Sequence, residues 1–137
     1  MKPLYTAIAT AEGGRQGRAR SLDGRLDVRL DTPEELGGNG DGTNPEQLFA
    51  AGFAACFQSA MHLVARSRKI DLADSSVTAE VDLGSTGSGT YGVGVRLLVS
   101  VPALDAAAAR DLAEATEKVC PYSNATRGNI PFEIVIE

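Results

Sequence analysis

The chain has 137 residues, a formal net charge of −5, two cysteines, one histidine and no tryptophan. One domain, residues 1–137, accommodates that length and can bury roughly two-thirds of its unfolded surface without help from disulfides. The acidic balance excludes a polyanion partner, which needs clustered Lys and Arg, so neither nucleic acid nor an anionic membrane surface is expected. No run of about 18 consecutive apolar residues occurs, and the start of the chain lacks the apolar core of a signal peptide, so the expected location is the cytoplasm. In a reducing compartment two cysteines are more often reactive or simply buried than joined as a staple, which makes redox chemistry a candidate.

Residues 5–10, 18–22 and 26–30 read as short strands of an N-terminal hairpin or meander, the last alternating strictly after the Asp23-Gly24 turn. Gly13-Gly14 separates the first two, and the glycine-rich stretch 37–42 reads as a loop within the connection 33–42. A long helix is predicted over 45–68: Asn44 can cap it, Pro45 suits its first position, and Gln47 completes a weak capping box. Along it Phe49, Phe53, Cys56, Ala60, Leu63 and Ser67 recur at steps of three and four, and its middle is almost free of charge, which marks a buried central helix. Alternation through Val77, Ala79, Val81 and Leu83, then through Val93, Val95, Leu97 and Val99, predicts a second hairpin. Asp105 can cap a second helix with Ala108, Leu112, Ala115 and Val119 on its apolar stripe, stopped with the help of Pro121, and 132–136 reads as a last strand. The order predicts an α+β fold of antiparallel sheets packed on a long central helix and a second helix. So apolar a helix beside so few strands also predicts a homodimer.

Several motifs carry little. Gly87-Ser88-Gly89-Thr90-Tyr91-Gly92 matches G-x-G-x-x-G but links two strands, whereas a dinucleotide site needs a strand leading into a helix. Asn124-Ala125-Thr126 has glycosylation spacing without an export signal. His62 lies six residues after Cys56, so it points about 120° away around the helix and reads as a surface or core histidine. One histidine and two distant cysteines do not make a tetrahedral metal site.

If Cys56 is reactive, something must stabilise its thiolate, because a free thiol with pKa near 8.5 is mostly protonated at neutral pH. Cys56 lies beyond the first helical turn, where the helix dipole acts, so an arginine is the remaining source, and Arg15 and Arg18 stand in unusual settings around Gly17. Glu46 in the first helical turn can orient such an arginine through a bidentate pair, although an acidic residue there is favourable by itself. Glu46 and Cys56 are separated by about 15 Å along a helix, so only an arginine reaching along it could bridge them.

The segments Gly13-Gly14-Arg15-Gln16-Gly17-Arg18-Ala19, Leu36-Gly37-Gly38, Asn44-Pro45-Glu46-Gln47-Leu48-Phe49-Ala50-Ala51-Gly52 and the run 119–130 with Cys120-Pro121-Tyr122-Ser123-Asn124 resemble the organic hydroperoxide resistance proteins, a branch of the family that includes the OsmC-type proteins. The resemblance covers nearly the whole chain. It implies an intertwined homodimer with active sites at the subunit interface, and a thiol peroxidase that reduces alkyl and fatty-acid hydroperoxides to alcohols. In that likeness Cys56 falls on the peroxidatic cysteine and Cys120 on the resolving cysteine that joins it in a disulfide. Arg15 falls on the arginine that holds the thiolate and Glu46 on the carboxylate that holds the arginine. It also implies no bound cofactor and regeneration by an external dithiol, such as a lipoylated protein. Phe49, Phe53 and Phe57 would line an apolar entrance or belong to the core. The competing readings are a redox sensor or apolar-ligand-binding protein without turnover, and a structural domain with two inert cysteines.

Overall fold

A computed structural model describes the chain from Met1 to Glu137. It forms two compact units, Met1–Leu48 and Phe49–Glu137.

In the first unit, strands β1 (Ala9–Glu12), β2 (Arg18–Ser21) and β3 (Asp27–Arg29) form an antiparallel sheet in that order. Its register sets Ala11 opposite Ala19 and Ala19 opposite Val28, so the small side chains share one face while Arg18, Arg20 and Arg29 take the other. The strand expected over 5–10 begins only at Ala9. Its partner β2 is four residues long, so the ladder ends at Ala9↔Ser21, with one further bond from the Leu22 N–H to the Ile8 carbonyl at 2.8 Å. The glycine-rich connection is more ordered than a plain loop. Glu34–Leu36 make a single 3-10 turn, and the buried Asp31 carboxylate accepts the Thr32 and Asp41 N–H groups at 2.9 Å each, tying the two ends of the connection together.

Helix α1 (Pro45–Arg68) starts in the first unit and runs into the second. Asn44 caps it as expected, its side-chain oxygen accepting the Gln47 N–H at 2.8 Å. The capping box stays half-formed, because the Gln47 side chain engages Thr43 Oγ1 at 2.6 Å instead of reaching back to Asn44.

The second unit holds the rest of α1, the hairpin β4 (Ser76–Gly87) and β5 (Thr90–Ser100), helices α2 (Ala106–Val119) and α3 (Pro121–Thr126), and β6 (Phe132–Ile136). Gly87, Ser88 and Gly89, all at positive φ, form the tight turn of the hairpin, so the G-x-G-x-x-G match is a strand connection. The sheet order is β4-β5-β6, and this sheet is mixed rather than purely antiparallel: β6 runs parallel to β5, from Val95↔Phe132 to Val99↔Ile136. The intervening α2 and α3 form the crossover that a parallel pair requires. Phe53, Phe57 and Met61 of α1, Leu97 and Val99 of β5 and Leu112 of α2 are the fully buried centre of the core. By length and composition α1 would also suit a membrane span, with a mean hydropathy of 1.5 over 18 residues, but one face of it is built into this core. Its other flank carries exposed Leu63 and exposed His62, so of the surface and core readings left open for that histidine the structure gives the surface one.

Asp105 caps α2 as expected, accepting the Ala108 N–H at 2.8 Å. Pro121 does more than stop that helix: it occupies the first turn of α3, a short helix not expected from the sequence. Leu112→Ala removes a side chain packed from both sides and is expected to cost about 2–5 kcal/mol of stability, measured as the shift in a urea unfolding curve at unchanged slope.

Candidate active site

The structure gathers the four expected residues into two pairs, one in each unit. Arg15 belongs to a single 3-10 turn, Gly14–Gln16, between β1 and β2. The turn is entered through Gly13 at φ 79° and Gly14 at φ 61°, a backbone region that costs L side chains energy. It is closed by the Gly17 N–H on the Gly14 carbonyl at 3.2 Å. A Cβ on Gly17 would stand 1.7 Å from the Glu12 carbonyl oxygen, so only glycine fits where β1 and β2 converge beneath the turn.

From that turn the Arg15 guanidinium forks onto Glu46, with Nη1 to Oε2 at 2.9 Å and Nη2 to Oε1 at 2.7 Å, both groups partly buried. This planar two-bond geometry fixes the orientation of the guanidinium as well as its position. The Arg15 hydrogen bonds hold the Glu46 carboxyl below its ordinary range against the opposing effect of burial, and the Arg15 proton is held more firmly in return. Glu46 therefore stays ionised at neutral pH, and what it adds to stability is lost only as pH falls through its lowered value. Arg18, the other arginine left open by the sequence, is tied on the exposed sheet face to Asp27 through Nε at 2.7 Å and Nη2 at 2.5 Å.

The second pair is Cys56 and Cys120. They lie 64 positions apart in sequence, yet their sulfurs are 3.7 Å apart, with both thiols free. Cys120 is 0% exposed and Cys56 is partly exposed. The Cys120 backbone belongs to two helices at once: its N–H closes α2 on the Thr116 carbonyl at 2.9 Å, and its carbonyl accepts the Asn124 N–H of α3 at 3.0 Å. Joining the sulfurs needs them to close to about 2.05 Å.

Burial pushes the Cys56 thiol above its ordinary value; the Tyr122 backbone N–H, bonding to the sulfur, opposes this, and the neighbouring Cys120 reinforces the rise. A negative charge on Cys56 is therefore disfavoured both by burial and by the neighbouring thiol. Within its own unit Cys56 is thus held in the thiol form at neutral pH.

Rings crowd the same place. Tyr122 stacks on Phe49 at 6.2 Å between centroids and meets Phe53 edge-on at 5.6 Å, while Phe53 stacks on Phe132 at 5.9 Å. Gly52 makes room for this: a Cβ there would lie 3.2 Å from the Tyr122 hydroxyl. Of the three phenylalanines considered for an apolar entrance, Phe53 and Phe57 are fully buried core, and Phe49 remains partly exposed beside Tyr122, which is 39% exposed. Tyr122 is a site residue that the sequence did not single out. In the sequence it figures only within the Cys120-Pro121-Tyr122-Ser123-Asn124 run that carries the family resemblance, at the start of a helix that Pro121 hides.

A profile of the OsmC-like proteins matches residues 38–135. The chain belongs to the OsmC-like family. Within that family it is 53% identical over 137 residues to the organic hydroperoxide resistance protein of Xanthomonas axonopodis pv. citri, covering 98% of this chain and 96% of that one. It is 43% identical over 135 residues to the organic hydroperoxide resistance protein OhrB of Bacillus subtilis, covering 98% of each. The crystal structure of an organic hydroperoxide resistance protein from Legionella pneumophila superposes with a TM-score of 0.95 at 48% identity, over 99% of both chains. The α+β architecture, with its mixed second sheet, is therefore that of the organic hydroperoxide resistance branch of the OsmC-like family.

The difference in exposure of the two thiols orders their reactivity. In the folded, reduced protein iodoacetamide is expected to label Cys56 well before Cys120, and the two at similar rates in urea, as read by peptide mass spectrometry after timed quenching.

Proposed function

We propose that this protein is a cysteine peroxidase that reduces organic hydroperoxides to alcohols. The observation that carries the reading is the pair of free thiols 3.7 Å apart across 64 residues of sequence, in a chain whose relatives are named for organic hydroperoxide resistance. The Cys56 thiolate attacks the distal peroxide oxygen, the O–O bond breaks, and the alkoxide leaves as alcohol after taking up a proton. Cys56 is then a sulfenic acid. Cys120, as thiolate, attacks the Cys56 sulfur and displaces hydroxide, which leaves as water once protonated, giving the Cys56–Cys120 disulfide. Two electrons from an external dithiol, in this reading a lipoyl group on another protein, reopen the bridge, so no bound cofactor is required. The dithiol approaches Cys56, the accessible sulfur, and Cys120 departs as thiolate.

Arg15 is the positive charge in this reading, lowering the cost of the Cys56 thiolate and stabilising charge that develops as the O–O bond breaks, and Glu46 is the clamp that orients it. Two of its five N–H donors are held by Glu46, which leaves three for another acceptor. Phe49 and Tyr122 offer an apolar surface suited to the alkyl portion of a hydroperoxide. The cytoplasm, where dithiol reductants are maintained, is the setting that suits this cycle.

The working form in this reading is an intertwined homodimer. Tyr5, Leu22 and Leu26 of the first unit are 83%, 80% and 42% exposed and border a concavity of about 540 Å³. Apolar side chains gathered so openly fit a second copy of the chain as their cover. Leu22→Asp is then expected to shift the protein from dimer to monomer in light scattering; an unchanged mass would remove this surface from the interface.

The peroxidase reading is tested by single-turnover consumption of cumene hydroperoxide against hydrogen peroxide by the reduced protein. Rapid reaction with the organic peroxide is expected, abolished in Cys56→Ser and halted at a sulfenate in Cys120→Ser, whereas consumption indifferent to Cys56 would sink it. Arg15→Ala is expected to slow the peroxide step by about 10²-fold at neutral pH. Loss of the cation leaves the thiol at the raised value that burial imposes, so less thiolate is present at neutral pH and the rate profile moves to higher pH.

A further inference from the structure

Ser123 carries the one buried side-chain polar atom in the chain without a hydrogen-bond partner. It is 2% exposed, and its hydroxyl oxygen is engaged by nothing. A buried hydroxyl left in that state is costly, so its position calls for a partner that appears at another stage of the protein's cycle. Ser123 is the third residue of α3, whose N-cap is Cys120. N-cap and third-residue side chains start from neighbouring positions on one side of a helix start, which places the Ser123 and Cys120 side chains on the same side of α3.

The backbone around it is already engaged. The Cys120 N–H and carbonyl are taken by Thr116 and Asn124, and the Ser123 carbonyl accepts the Arg127 N–H at 2.9 Å. As a thiol, Cys120 donates to Cys56 across the 3.7 Å gap. Its only such contact is lost once Cys56 carries oxygen or the bridge is opened from the Cys56 side. At those two moments the charge falls on the sulfur of a residue that is 0% exposed and whose only side-chain hydrogen bond is the one to Cys56.

We infer that the Ser123 hydroxyl is the hydrogen-bond donor that receives negative charge on Cys120, both when Cys120 attacks the Cys56 sulfenate and when it leaves the disulfide. No proton or electron passes to the hydroxyl. It turns its O–H toward the sulfur, and charge on the sulfur in the transition state for S–S closure, or for its reversal, is stabilised in place of missing water. The inference rests on the peroxidase reading, since it assigns Ser123 to the resolving half of that cycle.

The test follows closure directly. Reduced protein is mixed with one equivalent of cumene hydroperoxide, quenched at intervals into dimedone, and scored by mass spectrometry for sulfenate and disulfide across pH, in wild type, Ser123→Ala and Ser123→Thr. In Ser123→Ala the ratio of closure rate to peroxide-step rate is expected to fall about tenfold near neutral pH, the size of effect a lost hydrogen bond to a charged group gives. Its pH profile moves upward because the anion has lost a donor, and Ser123→Thr, which keeps the hydroxyl, restores both. Folding is not at issue, because Ser123→Ala deletes an unpartnered hydroxyl. A closure rate and pH profile in Ser123→Ala matching wild type would overturn the assignment. If the wild type shows no Cys56-dependent peroxide burst, it is the peroxidase reading that fails. Closure driven by diamide, which oxidises the same two thiols without peroxide, then compares the same three proteins: slower closure in Ser123→Ala upholds the role of the hydroxyl, and equal rates remove it.

Discussion

Cys120 ends one helix with its N–H and begins another with its carbonyl, and the geometry of the thiol pair depends on that double anchorage. Its N–H is bound to α2 and its carbonyl to α3, so the residue has little freedom to drift. Pro121 follows with the φ that a first helical turn wants and without the N–H that would go unpaired there. The consequence reaches α1: α3 presents the Tyr122 N–H to the Cys56 sulfur and lays the Tyr122 ring over Gly52. Because α2 is anchored in the core through Leu112 and Thr116, the sulfur of Cys120 is positioned by packing.

The electrostatics divide between the two units in a complementary way. One holds an oriented ion pair, in which Glu46 takes one edge of the Arg15 guanidinium and leaves its other N–H donors free of that partner. The other holds a thiol that burial and a second thiol keep protonated. A thiol in that condition resists casual oxidation.

Much of this is legible in the sequence where the signal is local. The long helix follows from an Asn-Pro start and a run of apolar residues at helical spacing, and its bounds agree with the structure. The hairpin follows from two alternating runs around glycines. The Arg15–Glu46 fork is expected among alternatives, because a glycine-flanked arginine and a first-turn glutamate are each unusual in place. What escapes is what local pattern does not encode. Proline reads equally as the end of α2 or the start of α3, so α3 is missed. The parallel pairing of β6 depends on the direction in which a crossover returns, a property of the assembled layers. Ser123 and Tyr122 bear no reactive group, and their significance rests on burial and on what they face.

The distance along the chain between the two thiols has a thermodynamic corollary. A bridge across 64 positions would restrict the unfolded ensemble far more than the folded one, a difference worth about 4 kcal/mol in the chain-entropy view. Linkage runs both ways: a fold that holds the sulfurs together makes the bridge easier to form, and the bridge makes the fold harder to lose. Heat tolerance would then rise on oxidation of the pair, and the bridged molecule would be the more robust of the two redox forms.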